Sequence, residues 1–103
     1  MNYRDLEEVR QIVAAATSLN ISYAYEDLVF PENTVFIIQF DDKNPDNLIC
    51  YFHKDCDIKS RNQIYGRLKN ECHLKNCTLD LKGCFILEQQ SEEIQIQFSK
   101  LAN

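Results

Sequence analysis

The chain has 103 residues, 45% of them hydrophobic, and a formal net charge of −5. That is enough for one domain, residues 1–103, around one core, and too apolar for intrinsic disorder. The acidic balance argues against a nucleic-acid ligand, because phosphate binding rests on cationic surface. No apolar run approaches the ~20 residues that a membrane helix needs.

The charge is uneven. Residues 1–50 carry 9 acidic and 3 basic side chains, and residues 51–103 carry 7 and 8. The opening MNYRDLEEVR is charged, without the apolar core of a secretory leader. Five cysteines without such a leader predict reduced thiols in a cytoplasmic protein, and their odd number speaks against a closed disulfide framework. The N-x-[ST] matches at Asn20 and Asn76 then read as chance.

The spacing of Leu6, Val9, Ile12, Val13, Ala16 and Leu19 predicts a first helix over 3–19, with Asn2 as its cap and Asn20 as its stop. Alternation of Ile21, Tyr23 and Tyr25 with Ser22, Ala24 and Glu26 predicts a strand over 21–26. Glu26-Asp27 turns the chain, and pairing resumes briefly over 28–30.

A β-hairpin stands at the centre, with strands near 34–40 and 48–54 around the turn formers DDKNPDN. Both faces of its first strand are apolar. It is either an inner strand covered on both sides or one whose second face meets a partner.

Ile64, Tyr65, Leu68 and Cys72 share a helical face and predict a second helix over 61–73, with Ser60 and Gln63 as a capping box. Gly66 within it either permits close packing or is merely tolerated. The basic residues of this segment, Lys59, Arg61, Arg67, Lys69 and Lys75, point in scattered directions and read as solvated surface. Two strands follow, the first with a bulge or turn at Lys82-Gly83 and the second alternating Ile94, Ile96 and Phe98 with glutamines. The expected fold is α+β: a mainly antiparallel five-stranded sheet, order α-β-β-β-α-β-β, with two helices on one face.

Four constellations bear on chemistry. His53, Cys56, His73 and Cys77 have donor types that zinc accepts, but neither segment carries a tight CxxC knuckle. The same residues pair as Cys56–His53 or Cys77–His73, the make-up of a thiolate–imidazole couple, with nothing to mark an oxyanion hole. Asp42-x-Asn44-x-Asp46 begins like a calcium loop, yet Asn47 replaces its glycine, His53 its bidentate glutamate, and Pro45 interrupts it. No metal and no cofactor is expected. Tyr23, Tyr25, Tyr51 and Phe52, with His53 beside them, read either as core rings, the reading slightly favoured, or as the candidate partner surface, since tyrosine joins an apolar body to a polar tip.

The helix, three-strand, helix, two-strand order and the acidic charge resemble the type III secretion chaperones. That resemblance implies a dimer that binds a client protein. The family's third, C-terminal helix has no counterpart here.

The expected function is a small non-enzymatic binding or adaptor domain. Its partner is a protein or a second copy of itself, met through the hairpin's second face or an edge strand. Two alternatives stand beside it. One is a secretion-chaperone-like, immunity or inhibitor protein that meets a basic partner. The other is a zinc or thiol enzyme built on His53, Cys56, His73 and Cys77.

Overall fold

A computed structural model describes residues 3–101, so the proposed cap Asn2 lies outside the described residues. Helix α1 spans Leu6–Thr17, and Asp5 caps it by accepting the Glu8 amide at 3.1 Å. It ends at Ser18 rather than Asn20. Ser18 takes the left-handed conformation at φ 62° while its N–H bonds Ala14.

Four strands follow: β1 Ile21–Tyr25, β2 Leu28–Pro31, β3 Phe36–Phe40 and β4 Asn47–His53. The central hairpin is β3–β4, in antiparallel register from Phe36↔Phe52 to Phe40↔Leu48. Its turn is held by Asp41 and Asn44, whose side chains accept the backbone amides of Lys43 and Asp46. Both side chains therefore serve the turn, and Arg4 clamps Asp42 with bonds of 3.0 and 2.6 Å.

Helix α2 runs over Ile58–Leu74. It starts three residues ahead of the expected boundary because Asp57, not Ser60, is the cap. The Asp57 carboxylate accepts the Ser60 amide at 3.2 Å, and the Ser60 hydroxyl first and this amide second hold the acid below its usual pKa. Strand β5, Thr78–Gln90, and strand β6, Glu93–Ser99, complete the chain.

The sheet has six strands in the order β1-β2-β3-β4-β5-β6, not five. The short run after the Glu26-Asp27 turn is a strand of its own, paired to both β1 and β3. Every pairing is antiparallel except β4 with β5, which runs parallel from Asn47↔Thr78 to His53↔Phe85. A parallel neighbour needs a long crossover, and α2 supplies it. The fold is thus a small α+β domain with a mixed sheet, and among the described residues no helix is long and apolar enough to cross a membrane.

The main core lies between the helices and one sheet face. Val9, Ile12 and Val13 of α1 and Leu68 and Cys72 of α2 pack with Phe36, Ile38, Leu48, Cys50, Phe52 and Leu79. Ile64 and Tyr65 flank it, and the Tyr65 hydroxyl donates to the Leu79 carbonyl at 2.9 Å. Gly66 faces open space: an added methyl would touch nothing within 4 Å. It is tolerated rather than required. Gly66→Ala is expected to raise the unfolding free energy by roughly 0.4–1 kcal/mol, read by chemical denaturation.

The opposite face has its own smaller core of Ile37, Tyr51 and Phe85, flanked by Leu28, Phe30, Ile49 and Ile96. The second face of the central hairpin is therefore covered by β2, β5 and β6 of the same chain. Its strands are inner strands, as their apolar pattern on both faces allows.

Candidate functional site

Two irregularities shape the second face. In β1, Ile21 lies opposite Pro31 but Tyr23 lies opposite Phe30, so the strand holds an extra residue. That bulge lets Ile21 pack toward the helices while Tyr23 and Tyr25 turn to the other side. In β5, Leu81 pairs with Cys50 but Gly83 pairs with Tyr51, which leaves Lys82 as the extra residue. Leu79 and Leu81 thus serve the main core, and Phe85 serves the second one.

Strand β5 pairs with β4 only as far as Phe85, yet its hairpin with β6 runs on to Gln90↔Glu93. Residues 86–97 accordingly project past β4 as a two-stranded arm. The sheet curls so that this arm approaches the β1–β2 hairpin, although β1 and β6 are its two edges.

Between them lies a groove of about 730 Å³. Tyr23, Tyr25, Leu28 and Phe30 form one wall. Leu87, Ile94 and Ile96 form the other, with Glu92 and Glu93 at the arm's tip. The Tyr23 and Tyr25 rings stack 6.4 Å apart and nearly parallel, and Tyr23 leans on Phe30 at 5.8 Å. Both tyrosines stay 57% exposed and Ile94 66% exposed, so the walls are apolar but uncovered.

The groove adjoins the second core, where polar groups are satisfied. The Tyr51 hydroxyl donates to Gln39 Oε1 at 3.1 Å, and the Gln39 amide donates to Asp27 at 2.9 Å. Burial, and then the Asp27 charge, raise the Tyr51 pKa. Phe98 lies over Tyr51 with ring centres 4.4 Å apart.

The candidate surface residues therefore part company. Tyr23 and Tyr25 line the groove. Tyr51 shares their face but is buried, and Phe52 points into the helical core. His53 makes an edge-on ring contact with Phe85, centres 5.3 Å apart, and lines a separate cleft of about 550 Å³ with Cys56, Asp55 and Asp57.

In that cleft His53 Nδ1 accepts the Asp55 amide at 3.0 Å, and the Cys56 thiol points at the Asp57 carbonyl at 3.6 Å. Burial first, then Asp57, push the Cys56 thiol above its usual pKa, against the pull of Arg61. A nucleophilic cysteine needs the opposite shift. His73 and Cys77 lie at the far end of α2, whose 17 residues span about 25 Å. The four proposed zinc or thiol residues are thus split between two ends of a helix. Among the described residues no group of three or more His, Cys, Asp or Glu is placed to hold a metal ion.

All five cysteines are unpaired; Cys50, Cys72 and Cys77 are buried, and Cys56 and Cys84 are partly exposed. Burial raises the pKa of Cys50 and Cys72 strongly. A thiol reagent is expected to label Cys56 and Cys84 in the native protein and the other three only after unfolding, as peptide mapping would show. Rapid native labelling of Cys50 would contradict this packing.

Leu87 and Ile94 of the arm, and Phe98 at its base, escape a reading by sequence. Alternation marks Ile94, Ile96 and Phe98 as a buried face, whereas Ile94 and Phe98 remain largely exposed. That gap between an apolar pattern and its actual burial is the signal. No protein-family model matches the chain, and no curated protein or solved structure matches it.

Proposed function

We propose that the chain is a non-enzymatic protein-binding domain that docks a partner in the groove between the β1–β2 hairpin and the β5–β6 arm. The observation that carries this reading is the continuous apolar lining from Tyr23 and Tyr25 across to Leu87 and Ile94, with its outer residues exposed to water. Tyrosine and branched aliphatic residues lose little side-chain entropy on burial and supply large contact area. Exposed apolar patches of this kind mark interaction surfaces. The unpaired thiols fit a reducing compartment, which makes a cytoplasmic partner the natural expectation.

Affinity capture with wild-type protein and with Ile94→Asp tests the reading. A protein retained by the wild type is expected to bind the variant at least about tenfold more weakly, since a carboxylate in the wall must be desolvated against apolar side chains. Equal retention by Ile94→Asp would refute docking in the groove. Turnover of a substrate by the pure protein would refute the non-enzymatic reading.

A further inference from the structure

If the groove docks a protein, its charge selects the segment that fits. Glu92 and Glu93 are the ionisable side chains of its lining other than the tyrosines, and no lysine or arginine lines it. Neither glutamate joins a salt bridge among the described residues. Glu26 and Asp27 make the turn that follows Tyr25, outside the groove's lining, and Asp27 there accepts the Gln39 amide. An apolar trough with an acidic end at the arm's tip complements a chain that offers apolar and cationic side chains together.

The backbone adds a second requirement. Strands β1 and β6 are the edges of the sheet, and both contribute residues to the groove. An edge strand presents unpaired N–H and C=O groups to an incoming extended chain. Side chains of such a chain alternate in direction. Every second residue then enters the trough while its neighbours reach the rim.

A second copy of this chain fits the same site poorly. A twofold interface brings the same patch of each molecule together, which would set Glu92 and Glu93 against an equally acidic surface on a protein of net charge −5.

We propose that the occupant is an extended segment of a different protein in which apolar side chains alternate with lysine or arginine. This inference rests on the protein-binding reading and gives its partner a chemistry.

Two short synthetic peptides test it, one alternating leucine and valine with lysine, the other carrying the same apolar residues with glutamate. Fluorescence anisotropy at physiological salt would measure their binding to the full chain. The lysine peptide is expected to bind at least about tenfold more tightly. Neutralising Glu92→Gln with Glu93→Gln is expected to weaken it about fivefold to tenfold. Glu88→Lys changes the net charge equally, by one reversal instead of two neutralisations. Glu88 is not among the residues that line the groove, it is held beside Gln97 at 2.9 Å, and its variant is expected to keep the wild-type affinity.

Equal affinity for the two peptides, or no binding of the lysine peptide, would overturn the cationic segment. So would equal weakening by Glu88→Lys, which would mark bulk charge as the cause. A dimer in light scattering that Ile94→Asp dissociates would assign the groove to a second copy and overturn it too. A captured partner that depends on Ile94 but binds through an acidic segment would sink this inference and leave the protein-binding reading standing. Capture insensitive to Ile94→Asp would sink both.

Discussion

Phe85→Ala is expected to lower the unfolding free energy by about 3–5 kcal/mol, because it removes a whole ring from a closed site. Phe85 is fully buried, packs with Ile37 and Tyr51, and makes an edge-on ring contact with His53. It is also the last β5 residue paired with β4, so it stands where the arm leaves the sheet. The loss should therefore reach beyond stability. Amide exchange on β6 is expected to accelerate, and affinity at the groove to fall even where the variant remains folded. Phe85→Leu keeps most of the volume and is expected to cost less than half as much. If the alanine variant were as stable as the wild type, the second core would contribute nothing and the arm would have another anchor.

Gly83→Ala is the second large effect, of about 1–3 kcal/mol, and it has the opposite cause. A methyl group at Gly83 would overlap the carbonyl oxygen of Ser99 and approach the Tyr51 ring at 3.7 Å. The first of these is backbone, which cannot swing aside as a side-chain tip can. Relief must come from moving β6, the edge strand, away from β5. Denaturation should show the lost stability, and exchange should show it first at the Cys84–Ser99 end of the β5–β6 pairing. An unchanged midpoint would mean that β6 sits further from β5 than the geometry has it.

The contrast between the two glycines shows what a sequence can carry. Lys82-Gly83 reads as a bulge or turn from residue type alone, and it is a bulge. Whether Gly66 is needed depends on what faces it, which no local pattern states. The central hairpin is legible because Asp41–Asp46 cluster turn formers between two β-rich runs. Its two-sided burial follows from apolar residues on both faces, and β3 and β4 do lie inside the sheet. The parallel pairing of β4 with β5 is not legible, because it depends on where α2 returns the chain. The caps were ambiguous for a related reason. Asp57 and Ser60 both have side chains able to accept a backbone amide, and only geometry shows that Asp57 does so.

The site was half legible. Tyr23 and Tyr25 stand out as exposed aromatic residues with polar tips, and both line the groove. Tyr51 and His53 share a strand face with the second core, which the period of two predicts, but burial by Phe85 and Phe98 is a long-range effect. The opposite wall escapes the sequence because Ile94, Ile96 and Phe98 look like an ordinary strand with one covered face. Nothing in seven residues says that Ile96 and Phe98 reach the second core while Ile94, further out on the arm, stays uncovered.

Docking in the groove is tested most directly by site-specific photo-crosslinking. A photoreactive phenylalanine analogue would replace Tyr25 in one sample and Gln63, exposed on α2, in another. The account predicts a defined protein adduct from position 25, competed away by unlabelled wild-type protein, and none from position 63. Adducts from position 63 alone would place the partner on the helical side and contradict the account.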